Sequence, residues 1–160
     1  MAVKPIPTGY SAITPYLCIK GAAAAIDYYK QVFNAEERMR MPMPEGKVGH
    51  AELQIGGALI MLADEFPQMN FLSPQTIGGT PVSLMLYVSD CDQTFAKAIE
   101  HGATEKKPLQ NQFWGDRCGT LQDPYGHVWT IATHIEDVTA EEMGRRMAEF
   151  TQQMQQGGCS

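Results

Sequence analysis

The chain has no run of 18 apolar residues, so nothing in it reads as a membrane-spanning helix. Its opening, MAVKPIPTGY, lacks the apolar stretch of a secretory signal. The expected location is the cytoplasm, with no membrane partner. Basic residues are few, 12 Lys and Arg against 18 Asp and Glu, for a net charge of −6. They are scattered apart from Lys106-Lys107 and Arg145-Arg146, which argues against nucleic acid as a partner. Cys18, Cys91, Cys118 and Cys159 show no C-x-x-C spacing, so free thiols are expected rather than a structural zinc site. No phosphate-binding glycine loop of accepted spacing is present, and no Ser or Cys nucleophile has a recognisable local signature. What remains is 160 residues of ordinary globular composition, 44% hydrophobic and 19% charged. That length suits one domain, or two small modules sharing a core.

What is there is a repeat. GHAELQIGGALIML (49–62) and RCGTLQDPYGHVWTI (117–131) are both alternating strands that end in Leu-Gln, turn at glycine and continue as an apolar strand. Gln54 and Gln122 stand 68 positions apart. At nearly the same offset, ITPYLCIKGAAAAIDYYKQVFNA matches VSLMLYVSDCDQTFAKAIEHGA, each a strand, a turn and an amphipathic helix. Ile26, Tyr29 and Phe33 share one helix face; Cys91, Phe95 and Ile99 share the other. Asn34 and Gly102 stand where a left-handed cap is wanted. The proline-bearing runs EERMRMPMPEG and ATEKKPLQNQ are expected edge strands. Each module therefore reads βαβββ, with its helix on the apolar face of an open sheet.

The chain is expected to be one α+β domain over residues 1–160. Its parts are a first module (9–63), a linker (64–80), a second module (81–135) and a C-terminal helix (138–156). The linker reads as loop, with Met69, Phe71 and Leu72 packing down. In the tail, Thr139 and Glu142 form a capping box. Met143, Met147, Phe150 and Met154 make a stripe that docks on the domain, on a partner subunit or over a ligand. The sheets' other faces are half-polar, so two of them together would enclose a cavity. Open sheets also favour a homodimer.

The candidate residues follow from alternation. His50, Glu52 and Gln54 point to one face of their strand, with Tyr16, Met61, Met85 and Tyr87 on the cavity side. His50 with Glu52 can exchange a proton near neutral pH; equally, His50 can be a hydrogen-bonded wall residue or lie at a subunit seam. In FWGDR, Trp114 can stack on a planar ligand and Arg117 can grip a carboxylate or phosphate. Asp116, Cys118, Thr120 and Gln122 face the cavity, while Arg117 faces away or pairs with Asp116. His127, in the DPYG turn, is expected in solvent, and Trp129 in the core. His134 is given no chemistry.

The paired plan, with AIDYYKQVFNAEE and DPYGHVWTI, resembles the vicinal oxygen chelate superfamily. That group includes glyoxalase I, extradiol dioxygenases, fosfomycin-resistance enzymes and bleomycin-binding proteins. HAELQIGGALIMLADE, GGTPVSLMLYVSD and FWGDRCGTLQDPYGHVWTIATH are similar to its PhnB-like branch, and the resemblance runs from Lys4 to Glu142. It implies divalent-metal ligands near the start of the first strand and on the last strand of each module. Those positions are Thr14, Met61, Ser83 and Thr130 here. None is the His, Gln or Glu that glyoxalase-like enzymes use, so the positions do not support a metal cofactor. Two main expectations follow. One is a metal-independent protein binding a small planar or cationic molecule, with Trp114, Tyr16 and Tyr87 stacking and Glu52 and Asp116 supplying charge. The other is a lyase or isomerase using His50 and Glu52, or a displaced metal site. A third is a structural or regulatory dimer with a vestigial cavity.

Overall fold

The computed structural model describes residues 3–157. Strand β1 (Tyr16–Ile19) leads to helix α1 (Ala22–Phe33), then to β2 (Glu36–Pro42), β3 (Val48–Ile55) and β4 (Ala58–Asp64). A short helix, α2 (Pro74–Ile77), sits in the linker, so that segment is not loop throughout. The plan then recurs as β5 (Ser83–Tyr87), α3 (Cys91–Glu100), β6 (Thr104–Asn111), β7 (Asp116–Gln122) and β8 (Val128–His134). Helix α4 (Ala140–Gly157) closes the chain.

The sheets have orders β1-β4-β3-β2 and β5-β8-β7-β6, each with one parallel pair and two antiparallel pairs. Their registers superpose. Tyr16, Met61, Glu52 and Met39 form one row across the first sheet. Met85, Thr130, Thr120 and Lys107 form the matching row across the second. Even the irregularities match, falling between Glu37 and Met39 in one module and between Glu105 and Lys107 in the other. Period-two alternation produces this arrangement: Ala51, Leu53 and Ile55 are buried, while His50, Glu52 and Gln54 line the opposite face.

The apolar faces and both helices share one core. In α1, Ile26, Tyr29 and Phe33 are buried as the stripe predicts, and the helix ends at Asn34 with φ 53°. In α3, Cys91, Phe95 and Ala98 are buried. Ile99 is 38% exposed, because Ala98 rather than Ile99 completes the inward stripe. Trp129 is in the core as expected, its ring 5.5 Å from Tyr29 and 4.7 Å from Phe33. In the linker, Met69 is 79% exposed rather than packed down; a one-turn helix at Pro67–Met69 carries it outward.

A buried carboxylate joins the modules. Asp123 Oδ2 accepts from Tyr29 Oη at 2.7 Å and Trp129 Nε1 at 2.9 Å. Its Oδ1 accepts the backbone N–H groups of Tyr125 and His127, each at 2.9 Å. His127 is therefore not in solvent. The turn folds inward, and its Nε2 bonds the Cys18 carbonyl at 3.1 Å in the other module. Burial lowers the affinity of His127 for a proton. Cys18, Cys91 and Cys118 are free thiols, and Cys159 lies outside the described residues. Burial pushes the Cys18 thiol up to about 11, too high for a nucleophile at neutral pH. No described helix is long and apolar enough to cross a membrane.

Replacing Asp123 by Ala leaves four donors, three of them buried, without this acceptor. The expected loss in urea unfolding is about 3 kcal/mol or more. Tyr29→Phe removes one of those bonds and is expected to cost about 1–2 kcal/mol.

Candidate functional site

The two half-polar sheet faces are open. Tyr16 is 46% exposed, Met85 48% and Tyr87 56%. On the first face a chain of hydrogen bonds runs through the predicted residues. Tyr10 Oη donates to Glu52 Oε2 at 2.5 Å, and Tyr16 Oη meets His50 Nδ1 at 2.7 Å. Between them, His50 Nε2 lies 3.4 Å from Glu52 Oε1. Gln54 lies further along the same face.

The second face is organised by Asp116, which is buried at 4% exposure. Its Oδ2 accepts from Tyr87 Oη at 2.9 Å and Trp114 Nε1 at 3.1 Å. Its Oδ1 faces His134 Nδ1 at 2.8 Å. The other imidazole nitrogen of His134 lies 3.0 Å from Asp137 Oδ1. Ionised carboxylates only accept, so both bonds are made together when both ring nitrogens of His134 donate, as in the imidazolium form. Burial alone would raise the Asp116 carboxyl; the bonds from His134, Tyr87 and Trp114 hold it below its usual value. The bonds to Asp116 and Asp137 raise His134 above the ordinary imidazole value.

Backbone geometry sets this cluster. Gly115 has φ 97°, and its carbonyl accepts the N–H groups of Ile135 at 2.9 Å and Glu136 at 3.0 Å. A Cβ there would stand 2.1 Å from the Glu136 carbonyl oxygen. The glycine thus lets the Trp114–Asp116 loop lie against the segment after β8. Helix α4 braces the same place: Arg146 bonds Glu136 at 2.7 Å and the Phe113 carbonyl at 3.3 Å, and Phe150 packs on Phe113. Thr139 caps α4 through the Glu142 N–H at 3.3 Å. The Glu142 carboxylate turns instead to Arg145 and Arg146, so the box is half formed. Met147 and Met154 remain 50% and 65% exposed.

Arg117 is not on this face. It points to α3, where Nε and Nη2 bond the Asp92 carboxylate at 2.7 and 2.6 Å and Nη1 bonds Asn111 at 3.1 Å. Alternation puts it opposite Asp116, so it pairs with neither Asp116 nor a ligand there. The sequence reading gave His134 no chemistry and left out Tyr10 and Asp137. His134 sits two residues beyond Ala132 on the open-face series of β8, and extending that alternation would have reached it. The loop folding that brings in Tyr10 and Asp137 left no periodic signal.

Among the described residues, cavities lie between the modules at two places. One, of about 260 Å³, is lined by Tyr16 and Cys18 of β1, Val82 and Leu84 near β5, and His127. The other is a groove of about 780 Å³ that brings Gln54 beside Tyr87, Ser89 and Asp90.

A family model for the Glyoxalase/Bleomycin resistance protein/Dioxygenase superfamily matches residues 12–131. The chain belongs to this superfamily. It is 41% identical over 140 residues to an uncharacterized protein of Mycobacterium bovis, covering 86% of this chain and 92% of that one. It is similar in structure to TioX from Micromonospora sp. ML1, with a TM-score of 0.60 and 27% identity over 81% of this chain and 100% of that one. A PhnB protein from Bacillus cereus shares the fold, with a TM-score of 0.62 and 24% identity over 77% of this chain and 99% of that one.

The superfamily's metal positions can now be tested. Thr14 Oγ1 bonds the Ser11 carbonyl at 3.3 Å, and Thr130 Oγ1 lies 3.1 Å from Thr120 Oγ1. Met61 is a thioether and Ser83 an exposed hydroxyl. Neutral hydroxyls and a thioether do not fit a catalytic divalent ion. Among the described residues, no three His, Cys, Asp or Glu side chains group as ligands elsewhere.

His134 is expected to titrate above ordinary histidine, read from its ring proton shifts by NMR. Its stabilising contribution is complete below the ordinary histidine value and is lost as pH rises through the raised one. Asp116→Asn should move that titration downward.

Proposed function

We propose that this superfamily member binds a small planar or cationic molecule, using no resident metal, at the open faces of its two sheets. The observation that carries the reading is the platform on the second face. Trp114, 37% exposed, and Tyr87, 56% exposed, are both tied by hydrogen bonds to the buried carboxylate of Asp116. Aromatic rings held in place lose little freedom when a flat ligand stacks on them. On the first face Tyr16 is held by His50, which stands beside Glu52. Half-exposed Tyr16, Met85 and Tyr87 make these faces apolar enough to favour a homodimer in which one copy's face covers another's. The cytoplasm remains the expected location.

The second reading is an acid–base lyase or isomerase. It rests on His50 and Glu52 standing side by side with a tyrosine hydroxyl on the outer end of each. A proton relay of that form suits abstraction next to a carbonyl.

Untagged protein treated with a chelator should keep its melting temperature. A stoichiometric divalent ion lost together with stability would favour the enzyme reading. In a thermal-shift screen of planar compounds, Trp114→Ala should abolish any stabilisation while leaving the unliganded melting temperature within a few degrees. Binding that survives that substitution rules out the platform.

A further inference from the structure

We propose that His134 Nε2 anchors a carboxylate of the ligand, and that Asp137 holds this place in the free protein. This rests on the reading of the second face as a ligand surface, and it narrows the ligand to a small planar carboxylate.

The argument begins with the two sides of the imidazole. On one side, Asp116 is buried and also holds Tyr87 and Trp114, so the His134 ring cannot turn without breaking a network. On the other, the Asp137 side chain is fully exposed, and its described hydrogen bond is the one to His134. The first bond is built in, and the second is replaceable. A charged donor aimed outward and covered by an exposed carboxylate on a neighbouring loop is complementary to a carboxylate.

Charge fixes the class further. Exchanging the Asp137 carboxylate for a ligand carboxylate keeps one carboxylate on the imidazole. A phosphate dianion would add a second negative charge near Asp116, and a cation would meet the imidazolium. Lys107 shares this face but stands beside Thr120, four positions along β7 from Asp116. Arg146 is engaged by Glu136 and Glu142, and Arg117 is held by Asp92 on the opposite face. Trp114 hydrogen-bonds the same carboxylate that holds His134, so indole and imidazole belong to one cluster on this face. The groups that set His134 are Asp116 from β7 and Asp137 from the segment after β8. Tyr87 of β5 acts through Asp116, and α4 contributes the neutralised Glu136–Arg146 pair.

Benzoate is the probe, followed by Trp114 fluorescence and by the His134 ring protons. Asp137→Ala should tighten benzoate binding about fivefold or more, because the internal competitor is gone. His134→Ala should weaken it about tenfold or more. With the wild-type chain, affinity should fall as pH rises through the His134 titration. Inorganic phosphate should not compete. The inference is overturned if Asp137→Ala leaves the affinity unchanged or if benzoate binds equally well above that titration. Neutral benzamide separates the two levels. If it binds as tightly as benzoate and needs Trp114, the carboxylate anchor is wrong and the planar site stands. If neither compound depends on Trp114, both fall.

Discussion

Asp123 is the carboxylate on which the arrangement of the two modules depends. It lies in the turn between β7 and β8, yet two of its four partners are a tyrosine from the first module's helix and a core tryptophan. A buried carboxylate is tolerated only when its oxygens are filled, and here each takes two donors. Because the turn is pinned to α1, His127 is drawn under β1 and the helix-bearing faces share one core. The polar faces are left open as a consequence. The functional surface is thus the remainder after the modules have packed by their apolar sides.

The modules repeat a plan without repeating its chemistry. Asp64, at the end of β4, accepts the N–H groups of Gly21 and Ala22 at the start of α1. At the matching place in the second module, Thr133 accepts the N–H of Cys91 at the start of α3. The same task, filling a donor at a helix start, is done by a carboxylate in one copy and a hydroxyl in the other. The open faces diverge in the same way. One carries the Tyr10–Glu52–His50–Tyr16 chain at its centre; the other gathers Tyr87, Trp114 and His134 around Asp116 at one end. The superfamily's four metal positions, meanwhile, hold groups too weak to grip an ion.

Local rules explain how much of this was legible in the chain. Strand alternation put Glu52, Asp116 and Thr120 on the open faces and Trp129 in the core, because a period of two leaves no freedom once one face is buried. It also separated Arg117 from Asp116, although the partner of Arg117, Asp92, lies 25 positions away on a helix. Ile99 was misplaced because a ten-residue helix offers a narrow stripe, and Ala98 fills it in place of the larger residue. His127 was misread because a Pro-Gly turn normally faces water, and nothing local indicates that this one is pulled inward.

The sequence by itself determined the duplicated βαβββ plan, the faces of the strands, the helix stops and the lack of metal-binding side chains at the superfamily's positions. These are set by residue type and by spacings of two to four, which act within one element. Only the tertiary structure decided that Asp123 joins the modules, that His134 is clasped between Asp116 and Asp137, and that Arg117 pairs with Asp92. Each of those outcomes depends on contacts between segments far apart in the chain, and no periodicity encodes where such segments meet.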